Sequence, residues 1–276
     1  MRVRTFSIRA AVVLLTCLLS AASFAGEREE GRLKTATAVL DELMRVPEQS
    51  IPSWLLEHAH AVAVVPAVIK VGLGIGGRRG KGVLVVRRDD GSWSNPIFIN
   101  LTGGSVGFQL GVQSTDVVLV FTSRQSIEGI VGGKVTLGAD ASVAAGPVGR
   151  QSSAATDIGL DAQVYSYSRA KGLFAGVALD GSAITIDHRS NEAYYGRPGV
   201  LASEIIRSDA PTPGAAAREF IAAVARSVST TATASAAPRA SESTTAPSAP
   251  ASQPAESQGF KTYPLEDPNP GAEPPE

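Results

Sequence analysis

The spacing of apolar residues changes character along this chain, and each change predicts a different element. Between 32 and 46, Leu33, Ala36, Leu40, Leu43 and Met44 recur at helical spacing, and Pro47 ends the run. A short helix over 53–60 follows, with Pro52 tolerated at its first turn. From Ala61 the period shortens. VAVVP (62–66), GVLVV (82–86) and DVVLVF (116–121) are β-rich apolar runs, and the last reads as a strand buried on both faces. In 104–112, GSVGFQLGV, Val106, Phe108, Leu110 and Val112 alternate with Ser105, Gly107, Gln109 and Gly111, the pattern of a half-buried strand.

Asp89-Asp90-Gly91 separates 82–88 from 92–99, a strong hairpin-turn signal. Further strands are expected at 133–140, 161–169, 173–180 and 182–188. In the last of these, Ile184 and Ile186 face one side, Thr185 and Asp187 the other. Short helices fit 124–130, 190–195 and 200–208. A final helix fits 215–228, where Phe220, Ile221, Val224 and Val228 form a stripe.

Glycine sharpens this picture. Of 28 glycines, 22 lie between Gly72 and Gly196, and they fall within strand patterns as well as at turns. Glycine inside a strand marks bends, bulges or a close backbone approach.

The two ends differ in composition. Arg2, Arg4 and Arg9 precede the apolar stretch AAVVLLTCLL (10–19), and Ser23-Phe24-Ala25 supplies small residues at the cleavage positions. This predicts a signal peptide over 1–25, cut after Ala25, and a periplasmic or secreted product. The alternative is a lipoprotein anchored at Cys17, the only cysteine. Past Val228 the chain turns to Ala, Ser, Thr and Pro. Nine prolines lie between Pro238 and Pro275, and six acidic residues face two basic ones. A segment so poor in apolar bulk cannot offset its ordering entropy, so 229–276 reads as a disordered acidic tail. The remainder divides into an N-terminal helix (26–49), a β-rich domain (50–200) and C-terminal helices (201–228).

Several chemistries find no support. Gly72-Leu73-Gly74-Ile75-Gly76-Gly77 matches GxGxxG, but a strand rather than a helix follows it. Gly80-Lys81 fails as a P-loop because Gly82 replaces the magnesium-binding Ser/Thr. His58, His60 and His188 are the only histidines, a poor set for a structural zinc site, and no GxSxG elbow accompanies them. No enzyme, cofactor or metal is expected. A net charge of −1 offers no whole-molecule field for nucleic acid, so local clusters matter more. An outer-membrane barrel would need aromatic girdles, and only 5% of residues are aromatic.

The surviving cluster is cationic. Arg78, Arg79, Lys81, Arg87 and Arg88 fall within eleven residues, with Lys70 upstream. Read as a loop at 78–82 leading into a strand at 83–88, the segment places Arg78, Arg79 and Lys81 in one patch and sends Arg87 and Arg88 to opposite faces. Each such cation gains about 1 kcal/mol near an anionic lipid surface.

A series of short motifs follows in order: Lys81-Gly82-Val83, Trp93-Ser94-Asn95-Pro96, Gly107 and Gly111 leading into Thr115-Asp116, Ala145-Gly146-Pro147-Val148-Gly149-Arg150, Tyr165-Ser166-Tyr167-Ser168, Lys171-Gly172-Leu173-Phe174 and Tyr194-Tyr195-Gly196. Through them, from about Ser50 to Pro198, the chain resembles the SYLF domain family, a lipid-binding module of bacterial envelope proteins and of eukaryotic proteins in membrane and actin traffic. The resemblance implies an α+β, mostly β fold: a compact curved antiparallel sheet or barrel-like domain with peripheral N- and C-terminal helices. It also implies no enzymatic activity and binding of anionic phospholipid head groups, phosphoinositide-like or other. The six cations Lys70, Arg78, Arg79, Lys81, Arg87 and Arg88 are then the candidate contacts for a membrane surface. An envelope scaffold acting through a sheet edge or the tail is the alternative. The resemblance implies that eukaryotic members use an amphipathic N-terminal helix; here Asp41 and Glu42 offset Arg32, Lys34 and Arg45, which weakens a membrane-helix reading and leaves core packing of the apolar stripe at least as well supported. Tyr165 and Tyr167 share a strand face and are expected to pack.

Overall fold

The computed structural model describes residues 26–46, 50–148, 162–170, 173–177, 179–207 and 214–235. Residues 1–25, the expected leader with Cys17, as well as Gly149-Arg150, Lys171-Gly172 and the residues beyond Ser235, lie outside the described residues. Helices α1 (26–45) and α2 (Ser53–Glu57) precede the strands β1 (Ala61–Val86) and β2 (Ile97–Phe121). Then come α3 (Arg124–Val131), β3 (Lys134–Thr136), β4 (Val143–Ala145), β5 (Val164–Ala170), β6 (Leu173–Gly176) and β7 (Ser182–Ile186). Helices α4 (His188–Tyr195), α5 (Ala202–Arg207) and α6 (Ala215–Ser235) close the described chain.

β1 and β2 run for 26 and 25 residues and pair antiparallel from Ala61 opposite Phe121 to Leu84 opposite Ile97. Ordinary strands are 3–10 residues, so strands of this length must bend to stay in one domain. β2 is the hub. Its start, Ile99–Gly103, pairs with β7, and its end, Asp116–Phe121, pairs with β5. β3 adds to β7, while β4 and β6 add to β5, the β4–β5 contact being the parallel pair among the described strands. The result is a curled, half-barrel sheet, the mostly β, α+β architecture expected.

The bends have local causes. The β1–β2 register shifts between Val65 and Val68 and between Gly72 and Gly74. Pro66 lies in the first shift, where its missing N–H leaves no ladder bond unmade. Beside it Ala67 adopts a left-handed φ of 49° and donates its N–H to Asp116 Oδ1 at 2.9 Å. The bent strand then meets itself: Arg87 N–H donates to His60 O at 2.7 Å. Only glycine allows this approach at position 82, where a Cβ would sit 2.5 Å from Val64 O.

Around 61–65, 83–86 and 117–121 the sheet is buried on both faces. Val62, Val64, Val83, Val85, Phe98, Val118, Val120 and Tyr167 pack with Leu33, Leu40 and Leu43 of α1 and Phe220 and Val224 of α6. The alternate residues, among them Val65, Leu84, Ile99, Leu119 and Phe121, pack with Ile127 and Ile130 of α3 and Ile205 of α5. Strand 116–121 is thus buried on both sides as its uniform hydrophobicity implies. The α1 stripe is core, and its charges bind the body of the domain: Asp41 pairs with Arg226 at 3.4 Å and Glu42 with Arg169. Tyr165 and Tyr167 are buried between sheet and helices, with Tyr167 O–H donating to Pro147 O at 3.0 Å.

Several expectations change; among them, the strand expected over 173–180 ends at Gly176 and the helix expected over 53–60 ends at Glu57. Residues 78–82 are not a loop but lie within β1, each paired with a residue of β2 between Gly103 and Ile99. The strand expected over 133–140 stops at Thr136, where Asp140 Oδ2 accepts the Thr136 N–H and forms a turn. The strand expected over 182–188 stops at Ile186, because Asp187 caps α4 and receives Ser190 N–H at 3.3 Å. The final helix continues through Ser235, past the expected limit at 228. In 104–112 the ladder pairs Gly104–Gly107 and then Gly111 and Val112, with a register shift between them, and Val112 is 72% exposed; with Val71 and Ile69 it leaves apolar surface on the ribbon.

Candidate functional site

Sheet register builds the site. Lys81 lies opposite Asn100, Asn100 opposite Thr185, and Thr185 opposite Lys134, one row across β1, β2, β7 and β3. A second row runs Arg79, Thr102, Ala183, Thr136. Directly opposed residues in antiparallel strands point to the same face, and so do residues two apart. Three cations, three threonines and one amide therefore share a sheet face. At ordinary strand spacing the patch measures roughly 14 Å by 7 Å. Arg79, Thr102 and Lys134 are exposed on it, Asn100, Thr136 and Thr185 are half-buried, and the Asn100 Oδ1 atom is itself buried with no hydrogen-bond partner among the described residues.

Toward Phe98 the same face passes under α1, and a charged border marks the change. Asp187, 7% exposed in its side chain, accepts Lys81 Nζ at 2.7 Å and Ser190 Oγ at 2.9 Å. Arg32 of α1 lies 4.0 Å from the same carboxylate and 5.3 Å above the Phe98 ring. Burial by itself raises the Asp187 pKa, but the hydrogen bonds from Lys81 and Ser190 outweigh it and hold the carboxyl below its ordinary 3.8. Burial lowers the Arg32 pKa against the opposing pull of Glu29 and Asp187.

A group whose folded pKa is depressed contributes stability above its unfolded value and loses it as pH falls through the folded value. Asp187→Ala removes a helix cap and a partly buried ion pair, so a loss of about 2 kcal/mol is expected at pH 7. In urea titrations this gap from the parent protein should narrow below pH 3.8. An unchanged gap at acid pH would show that the charge contributes nothing.

The six candidate cations separate. Arg79 and Lys81 join the face. Arg78 opposes Gly103 and points to the other side, half-buried, its Nε without a partner among the described residues. Lys70 lies farther along the ribbon, opposite Gln113. Arg87 donates to Glu57 O at 2.9 Å and stacks 5.8 Å from the Trp93 ring centre. Arg88 donates to Ile206 O at 2.6 Å and Trp93 O at 3.0 Å. The single patch of Arg78, Arg79 and Lys81 expected for a loop is corrected by strand alternation, which parts Arg78 from the other two. Sequence reasoning missed Lys134, Asn100, Thr102 and Thr185. Only the alternation of polar residues at Thr185 and Asp187 hinted at an open face there.

The motif residues are mostly structural. Ser94 exchanges hydrogen bonds with Val86, its N–H to Val86 O at 2.8 Å and its Oγ accepting Val86 N–H at 3.0 Å. Tyr195 O–H donates to Pro96 O at 2.7 Å. Gly146 lies against the Tyr167 ring, where a Cβ would collide with Cζ. Among the described residues no group of three or more His, Cys, Asp or Glu could hold a metal, and no helix is long and apolar enough to cross a membrane.

Residues 102–227 match a family described as "Ysc84: Las17-binding protein actin regulator". The chain is 40% identical over 152 residues to Protein YSC84 of Saccharomyces cerevisiae, covering 54% of this chain and 32% of that protein. It is 33% identical over 189 residues to SH3 domain-containing YSC84-like protein 1 of Homo sapiens, covering 66% of this chain and 55% of that one. The chain therefore spans between about a third and just over half the length of these relatives.

Proposed function

We propose that this chain, which belongs to the Ysc84/SYLF family, binds anionic phospholipid head groups through the open sheet face of Arg79, Lys81 and Lys134. The carrying observation is the pair of ladder rows that gathers three cations with Thr102, Thr185 and Asn100 on one partly exposed face. Cations attract the phosphate, and hydroxyl and amide groups donate hydrogen bonds to its oxygens. No bond is made or broken. Ile69, Val71 and Val112, each about half exposed or more on the same ribbon, supply apolar contact at a lipid surface. With a leader cleaved after Ala25, the membrane met would be one facing the periplasm or the outside.

Co-sedimentation with vesicles tests this. Phosphatidylglycerol vesicles should retain the protein and phosphatidylcholine vesicles should not. Arg79→Ala combined with Lys134→Ala should remove about 2 kcal/mol, a roughly 30-fold loss of affinity. Lys81 is left in place because its pairing with Asp187 would confound the measurement. Equal retention by neutral vesicles, or an unaltered double variant, would sink the reading.

A second reading, a scaffold with a protein partner, draws on relatives whose names are Las17-binding or SH3 domain-containing. Removing 229–276 should then abolish partner capture while sparing vesicle binding. Capture unaffected by the deletion would leave the tail without this role.

A further inference from the structure

A cavity of about 500 Å³ lies where the end of β1 meets α3 and α5, and none of the basic sheet-face residues lines it. That volume is within the range of small-molecule sites. Val86, Ile127, Val131 and Ile206 make its wall apolar. Arg87, Arg124 and Arg207 contribute three positive charges against the single carboxylate of Glu128. His60 also lines it. Burial, then the charges of Arg124, Arg87 and His58, lower its pKa below the ordinary 6.5, so the imidazole is neutral at pH 7.

We infer that this cavity takes one unbranched hydrocarbon chain with an anionic head, the chain against Ile127 and Ile206 and the head at Arg124 and Arg207. The apolar wall leaves the body of a polar ligand unpaired, which excludes sugars and nucleotides. The excess of guanidinium selects an anion over an alcohol or amine. Arg124 can turn to a ligand at little cost, because its pairing at 2.6 Å is with Asp89, whose side chain is 88% exposed. Arg87, held by Glu57 O and the Trp93 ring, forms fixed wall instead. This site is independent of the head-group reading, since it buries the hydrocarbon rather than the phosphate.

The test is titration of the full chain, below micelle concentrations, with octanoate, decanoate, dodecanoate, dodecanol and monoacyl phosphatidylglycerol. Affinity should rise about four-fold per added methylene along the carboxylates, and dodecanol should bind at least ten-fold more weakly than dodecanoate. Arg124→Glu, at an exposed position, should cost dodecanoate at least ten-fold and leave dodecanol unchanged. Arg79→Ala with Lys134→Ala should bind dodecanoate like the parent, which separates this site from the vesicle-binding face. Dodecanoate ahead of the monoacyl lipid identifies a free acid as the source, and the reverse order a membrane-derived lipid. A flat chain-length series, equal binding of dodecanol, or an unaffected Arg124→Glu variant would overturn the inference.

Discussion

Gly82→Ala should destabilise the domain by about 3 kcal/mol, the upper end of ordinary overpacking costs. The added Cβ would lie 2.5 Å from Val64 O, 2.7 Å from Val65 Cγ2 and 3.0 Å from Val65 Cα. Two of these three atoms are backbone, so no rotamer change relieves the contact. Relief requires the two ends of β1 to separate, and with them the Val64, Val83 and Val85 packing that joins the sheet to α1 and α6. Urea unfolding followed by Trp54 and Trp93 fluorescence should show the midpoint lowered by about 1 M or more with an unchanged slope. Gly104→Ala is the control. Nothing lies within 4 Å of its Cβ, so it should change stability by less than about 0.5 kcal/mol. Equal effects at the two positions would refute the close approach.

Asp116→Ala should cost about 2–3 kcal/mol, because this carboxylate serves a strand bulge and an ion-pair network at once. Its Oδ1 accepts the N–H of Ala67, held at a left-handed φ of 49° in the first β1 bulge. Its Oδ2 accepts Arg169 Nε at 2.8 Å, and Arg169 in turn pairs with Glu42 of α1. One side chain thus links the bulge, the β2–β5 pair and the N-terminal helix. Asp116→Asn keeps an oxygen for Ala67 and loses the charge for Arg169, so it should cost about half as much. Chemical denaturation of both variants separates the contributions. Equal losses would mean the Ala67 bond carries nothing.

Legibility followed locality. The α3 boundaries, the α1 stripe, the Asp-Gly hairpin and the double burial of 116–121 were all readable, because each depends on side chains within a turn or two. Strand ends were less so. At Asp187 the capping of α4 competes with continued alternation, and capping wins because the helix N–H groups otherwise lack a partner. The 78–82 segment misleads for a related reason: glycine suggests a loop when neighbours are ignored, yet here it allows an extended strand to bend and touch itself.

The candidate site shows the same division. Arg79 and Lys81 announce themselves by density of charge. Lys134 does not, because 53 residues separate it from Lys81 and only the shared registers with Asn100 and Thr185 place the two on one face. By itself, then, the sequence determined the periodicities, the turns and the supply of cations, since these follow from local backbone preference and side-chain chemistry. The tertiary structure alone decided which cations share a face, which are tied to carbonyls as Arg87 and Arg88 are, and why position 82 must be glycine. Those outcomes depend on how a 26-residue strand folds back on itself, and that is set by packing on both sides of the sheet rather than by any residue's immediate neighbours.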